Sequence, residues 1–95
     1  MGTAIITMKV TPESTEVDIN ELQTKVIEEI RKFTGNDNPE AIKSEIKPFA
    51  FGLNIIETIF ILDEEKGSTD NLEETLKDLE GAQGAEVTDM RRALG

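Results

Sequence analysis

The sequence predicts an α+β fold, a four-stranded antiparallel sheet with two helices on one of its faces. Three observations lead there. The stretch Pro48 to Asp63 holds three of the four phenylalanines and the longest run rich in β-branched residues, so its second half reads as a central strand. Two other segments place apolar residues at helical spacing, and each is followed after a short loop by a strand-like segment. The resulting order is strand, helix, strand, strand, helix, strand.

Thr3 to Thr11 alternates, with Ala4, Ile6, Met8 and Val10 on one face and Thr7, Lys9 and Thr11 on the other. That pattern belongs to a strand with one buried face. Thr11-Pro12-Glu13-Ser14 breaks it. Asp18 opens the first helix, with Glu21 placed three residues later as in a capping box. Ile19, Leu22, Val26, Ile30 and Phe33 form its apolar stripe, and Gly35 is the expected left-handed stop. Asn36-Asp37-Asn38-Pro39 is a loop by composition.

Glu40 to Lys47 alternates again, with Ile42 and Ile46 against Lys43, Glu45 and Lys47, as suits an edge strand whose charges discourage pairing with another chain. By parity Phe49 and Phe51 fall on the side of the lysines, away from the core. Leu53 to Leu62 is apolar at both parities, which fits a central strand. Asp63 to Gly67 is a turn. Asp70 or Ser68 starts the second helix, with Leu72, Leu76 and Leu79 as its stripe and Gly81 as its stop. Ala82 to Gly84 leads into a last strand, Ala85 to Met90, followed by Arg91-Arg92 near the terminus. This order is the split β-α-β, ferredoxin-like pattern, expected over residues 1–95 as one domain. Its usual spatial order, 4-1-3-2, puts Leu53–Leu62 inside and the charged second strand at the edge.

Composition removes several functions. The formal charge is −10, from 10 Lys and Arg against 20 Asp and Glu, so the basic face that nucleic acid requires is missing. With no cysteine there is no thiolate chemistry, and with no histidine the commonest general base is lacking. No apolar stretch is long enough to span a membrane, and Met1-Gly2-Thr3 lacks a signal peptide's basic flank, so a cytoplasmic location is expected. Carboxylate neighbours such as Glu28-Glu29 and Glu73-Glu74 read as solvated faces. Gly81-Ala82-Gln83-Gly84 has neither the lysine nor the following helix of a phosphate loop, and no serine sits in a nucleophile elbow. The chain is therefore not expected to be an enzyme, and no metal or cofactor is expected.

Two features remain. Tight turns between strands are normally polar, yet Phe49-Ala50-Phe51 precedes Gly52. Such aromatics either close the end of the core or project as a docking surface. Both readings are open for Phe49, whereas the glycine beside Phe51 favours an exposed turn. The second feature is Arg91-Arg92, adjacent cations in an acidic chain, to be weighed against a plain solvated terminal pair. Topology sets Phe51 and the arginines at opposite ends of the sheet, roughly 20–30 Å apart.

Pro48-Phe49-Ala50-Phe51-Gly52-Leu53, with Lys9-Val10-Thr11-Pro12-Glu13-Ser14 before it and Glu86-Val87-Thr88-Asp89-Met90-Arg91-Arg92 after it, resembles the elongation factor 1-beta family in its short archaeal type. The resemblance covers essentially the whole chain. It implies a guanine-nucleotide exchange factor that binds the GTPase elongation factor 1-alpha and promotes release of GDP so that GTP can load, with Phe51 inserted into the partner. Phe49, Phe51 and Gly52 are then expected partner-binding residues, and Arg91 and Arg92 join them by position alone as the only terminal cations, on a chain expected to be monomeric when free. In eukaryotic members a lysine near the C-terminus reaches the partner's Mg²⁺ and phosphate region. Aligned on Thr88-Asp89, that position falls at about Gly95, and no lysine follows Lys77. The alternative is a small-molecule-binding regulatory domain of the same fold. Such domains usually carry glycine at the first strand–helix turn, where this chain has Thr11-Pro12-Glu13-Ser14.

Overall fold

The computed structural model describes residues 3–35, 41–63 and 69–93. Strand β1 (Thr3–Pro12) keeps the alternation read from its sequence, with Ile6, Met8 and Val10 fully buried and Ala4 at the edge of the core. Helix α1 (Ile19–Thr34) starts where Asp18 leaves the helical region at φ −71° and ψ 100°. The Asp18 carboxylate accepts the Asn20 N–H at 3.1 Å and the Glu21 N–H at 3.2 Å, satisfying two donors of the open first turn. Glu21 itself lies 3.6 Å from Lys25 one turn on. The helix ends at Gly35, in the left-handed region, whose N–H returns to the Arg31 carbonyl at 2.8 Å.

Leu22, Val26 and Ile30 form the buried stripe of α1 and share one core cluster with Ile6, Met8, Val10, Leu72 and Leu76. Val26 has no exposed surface, so Val26→Ala removes two methyl groups from a closed site. The expected cost is about 1–3 kcal/mol, read as a lower midpoint in urea with an unchanged slope. A melt indistinguishable from the parent's would mean that α1 does not pack on the sheet at this point.

Strand β2 (Ile42–Pro48) is at the edge, and β3 (Asn54–Asp63) lies between it and β1. The full order, β2-β3-β1-β4, is the ferredoxin-like one, with every neighbour antiparallel. Thr58 is a polar residue of the central strand with no exposed surface. Its hydroxyl lies 3.3 Å from that of Ser44, which accepts the Gln23 side-chain amide at 2.9 Å. A short polar chain thus links β3, β2 and α1, removing the penalty of a buried hydroxyl without a partner.

Helix α2 (Asp70–Lys77) buries Leu72 and Leu76 and stops sooner than the leucine spacing suggests, leaving Leu79 in the turn that follows. Gly81 completes that turn at φ +94°, and a Cβ there would stand 3.0 Å from Val17 Cγ1. Glycine answers both the dihedral and the close approach. Strand β4 (Ala82–Ala93) is longer than the expected Ala85–Met90 at both ends, because its ladder with β1 runs from Pro12↔Ala82 to Thr3↔Ala93. Arg91 and Arg92 are therefore strand residues, not a tail. The expected loop 36–39, the first residue of the second strand at Glu40, the turn residues 64–67 and the alternative helix start at Ser68 lie outside the described residues.

Both helices pack on one face, leaving the other open. The apolar residues of both parities in β3 fit its central place, and the structure divides them between the two faces. Ile59 and Ile61 are 37% and 49% exposed, since neither helix packs on that face.

Candidate protein-docking site

The β2–β3 connection is a tight turn over Ala50–Leu53. The Leu53 N–H donates to the Ala50 carbonyl at 3.2 Å, and the Phe49 N–H donates to the Leu53 carbonyl at 2.7 Å. Both central residues have positive φ: Phe51 at φ 61°, ψ 29° and Gly52 at φ 77°. Those signs belong to the type I′ turn, whose right-handed twist suits a hairpin and whose usual occupants are Asn-Gly. Gly52 meets the dihedral demand, and a Cβ there would touch nothing within 4 Å, so backbone conformation alone argues for glycine. Phe51 does not meet it. It is the only non-glycine residue with positive φ among the described residues, and a bulky side chain there costs about 1 kcal/mol or more. Its ring gains nothing from the core in return, being 97% exposed.

Phe49 is placed differently. It is 50% exposed and lies on the open face, where the Lys9 ammonium stands 5.3 Å from its ring centroid. Ile55, on the same face at the same end, is only 8% exposed although it is outside the main core cluster. Phe49 is thus half a cover for one end of the open face, and Phe51 is no cover at all. Three cations on this face are paired, Lys9 with Glu86 at 3.1 Å, Lys47 with Glu57 at 2.8 Å, and Arg91 with Asp89 at 3.0 Å, whereas Lys43, opposite Ile59, forms no ion pair among the described residues. The hydrogen bond to Glu57, with that carboxylate's charge, raises the Lys47 pKa above its ordinary 10.5.

The two arginines do not face the same way. Neighbours in a strand point to opposite faces. Register sets Arg91 opposite Ile5 on the open face and Arg92 opposite Ala4 on the helix face. A β-bulge decides which is which. Asp89 pairs Thr7 and Val87 pairs Met8, leaving Thr88 as the extra residue, with its hydroxyl donating to the Thr7 carbonyl at 3.3 Å. Without that insertion Arg91 would share the helix face with Val87. Eight-residue α2, about 12 Å long, cannot cover the whole of β4, so Arg92 and Met90 stay exposed on the helix side.

The hairpin tip and Arg91 are at opposite ends. Arg91 stands in the row of Ile5 and Ile61, and the β3 segment from Asn54 to Ile61 spans roughly 23 Å. In and beside the row of Arg91 stand Ile5, Ile61 and Ile59, three exposed apolar side chains that the sequence pattern did not single out, and the charged row Glu86, Lys9, Glu57 and Glu45 separates them from the tip. The odd-parity isoleucines of β3 were the available signal, since with both helices on one face one parity of a central strand must meet the other face.

At the first strand–helix turn, a groove of about 300 Å³ is rimmed by Glu13, Asp18, Glu21, Lys25 and Glu80. Among the described residues no group of three or more carboxylates is arranged to hold a metal ion, and no helix is long and apolar enough to cross a membrane.

An open-faced ferredoxin-like sheet with an aromatic hairpin tip is the class of protein these features define. Among solved structures, the de novo designed protein Foldit4 shares the fold with a TM-score of 0.54 over 98% of each chain, at 14% identity. The family model described as the EF-1 guanine nucleotide exchange domain matches residues 5–93. Proteins called elongation factor 1-beta are similar over nearly the whole chain. That of Methanothermobacter thermautotrophicus is 36% identical over 99% of this chain and 100% of its own. Those of Methanobrevibacter smithii and Saccharolobus solfataricus are each 33% identical, covering 99% and 97% of this chain and 100% and 97% of their own. The chain belongs to the elongation factor 1 guanine-nucleotide exchange family, within translation elongation.

Proposed function

We propose that residues 1–95 form a single exchange domain that binds elongation factor 1-alpha and speeds its release of GDP, so that GTP can load. The observation that carries this reading is Phe51, an aromatic held at positive φ and 97% exposed on a hairpin tip. Both its strain and its exposure oppose folding, and an aromatic anchor for a partner's pocket accounts for both. Membership of the exchange family supports the partner's identity.

Such a factor needs no reacting group and no cofactor of its own. It binds the nucleotide-free partner better than the nucleotide-bound one, and by linkage it weakens nucleotide affinity by the same factor. Phe51 and Gly52 form the anchoring tip, with Phe49 supporting it from the open face. Arg91 is the cation at the far end of that face, and Arg92 serves the helix side. A cation arriving near the partner's Mg²⁺ site would oppose the metal by like-charge repulsion. The free chain is monomeric and works in the cytoplasm, where elongation proceeds.

The test is the rate of GDP release from elongation factor 1-alpha, followed with a fluorescent nucleotide, with and without the chain. A concentration-dependent acceleration that saturates is expected. An unchanged release rate at high factor concentration would end the reading.

A further inference from the structure

We infer that the buried polar chain from Gln23 through Ser44 to Thr58 sets the register of the β2–β3 hairpin, and that by way of the register it decides that Phe51 stands at the tip. The three are positioning residues. Thr58 is roughly 20 Å from the tip along β3 and cannot touch what Phe51 touches. That the tip anchors a partner rests on the reading above; that these residues place it does not.

A strand slipped by one residue turns its apolar side chains to the wrong face, so patterning alone forbids that error. A slip of two residues keeps every side chain on its own face and meets no such barrier. In the observed register Ile42, Ser44 and Ile46 lie opposite Phe60, Thr58 and Ile56 on the helix face. The competing slip would set Ile42 opposite Leu62, Ser44 opposite Phe60 and Ile46 opposite Thr58, with the isoleucines still turned to the core. The centre of the hairpin would then pass from Phe51 to Gly52.

Two features of the molecule favour the slipped pairing. On the open face Glu45 lies directly opposite Glu57, a like-charge pair, and Lys47 reaches diagonally to both, at 3.8 Å and 2.8 Å. After the slip Lys47 would stand directly opposite Glu57, and Glu45 would be clear of it. At the tip, glycine would take the central place that Phe51 now holds at φ 61°. Against both stands the buried chain. Thr58 has no exposed surface, and its hydroxyl lies 3.3 Å from that of Ser44, which accepts the Gln23 amide at 2.9 Å. Slipped, Thr58 would face Ile46, and its hydroxyl would lose that partner where water does not reach. Of the three pairs in the observed row only Ser44 with Thr58 is polar, so on the core side this pair alone tells the two registers apart. Fixing a register is the best-attested use of a buried polar contact.

The test is the double variant Ser44→Ala, Thr58→Val, which removes both hydroxyls together and keeps the volume of the buried side chain. Cross-strand backbone contacts, read by nuclear Overhauser effects, should show Ser44 facing Thr58 throughout in the unsubstituted chain. The variant should add a second set, in which Ile46 faces position 58. Its half-saturating concentration in GDP release should rise about threefold or more at an unchanged plateau, because only the fraction with Phe51 at the tip binds. Val26→Ala weakens the core without touching the hairpin and should leave that concentration at the parent's value. Thr58→Ser keeps the hydroxyl and should keep the single register. A double variant that holds one register would overturn the inference, and so would two registers with the parent's half-saturating concentration. Should the double variant not fold, Ser44→Ala alone, on the half-buried edge strand, is read in the same way. If the unsubstituted chain does not accelerate GDP release, the exchange reading fails, and the contact pattern still decides whether the polar chain sets the register.

Discussion

Phe51→Asn is expected to stabilise the folded chain and to disable it as an exchange factor. Asparagine is the preferred first residue of a type I′ turn, because its short side chain tolerates positive φ. Phe51 holds that position at φ 61° with its ring 97% in water, so its removal costs no packing. The gain should be about 0.5–1 kcal/mol, seen as a higher midpoint in urea. Against that, losing an aromatic anchor should weaken partner binding by about 2 kcal/mol or more, roughly thirtyfold. Opposite movement of the two quantities distinguishes an anchor from a plug. A variant that unfolds more easily and exchanges normally would show that the ring works for the fold. Phe49, half covered and under Lys9, should behave differently, losing some stability when truncated.

Arg91→Ala and Arg92→Ala are expected to separate sharply. Were the two a tail, either could substitute for the other. As strand neighbours on opposite faces they cannot. With Phe51 as the proposed anchor at one end of the open face, only Arg91 of the two shares that face. Arg91→Ala should therefore lower the maximal rate of GDP release at saturating factor, by about 10–100-fold if one charge-assisted contact of about 1.5–3 kcal/mol is lost. Phe51→Ala, by contrast, should mainly raise the factor concentration needed. Arg92→Ala should leave both quantities close to the parent's. Equal effects from the two arginine variants would contradict the assignment of faces, and a parental plateau in Arg91→Ala would reduce that residue to a solvated partner of Asp89.

Much of this was legible in the sequence because it depends on local chemistry. The alternation of Ala4, Ile6, Met8 and Val10 follows from the period of a strand, and the 3.6-residue period of a helix gathers Leu22, Val26 and Ile30 on one stripe. Asp18 and Gly35 mark the ends of α1 through contacts made within a few residues. The exposure of Phe51 was legible too, from the glycine beside it, whereas both readings stayed open for Phe49. Strand order followed from the usual order of the β-α-β-β-α-β pattern, with which the charges of β2 and the β-branched residues of β3 agreed.

What the sequence could not decide depends on long-range partners. A β-bulge exists only where two strands pair, so no pattern within Ala82–Ala93 shows that Thr88 is the extra residue, and hence that Arg91 and not Arg92 reaches the open face. The strain at Phe51 is likewise a property of the closed hairpin, since an isolated chain would leave positive φ. The isoleucines at odd positions of β3 look the same whether a face is covered or bare. Two helices on one face were expected, but only the register, Phe60 opposite Ile6 and Ile61 opposite Ile5, settled that Ile59 and Ile61 are the ones that meet solvent, because burial belongs to the neighbours of a side chain and not to its identity.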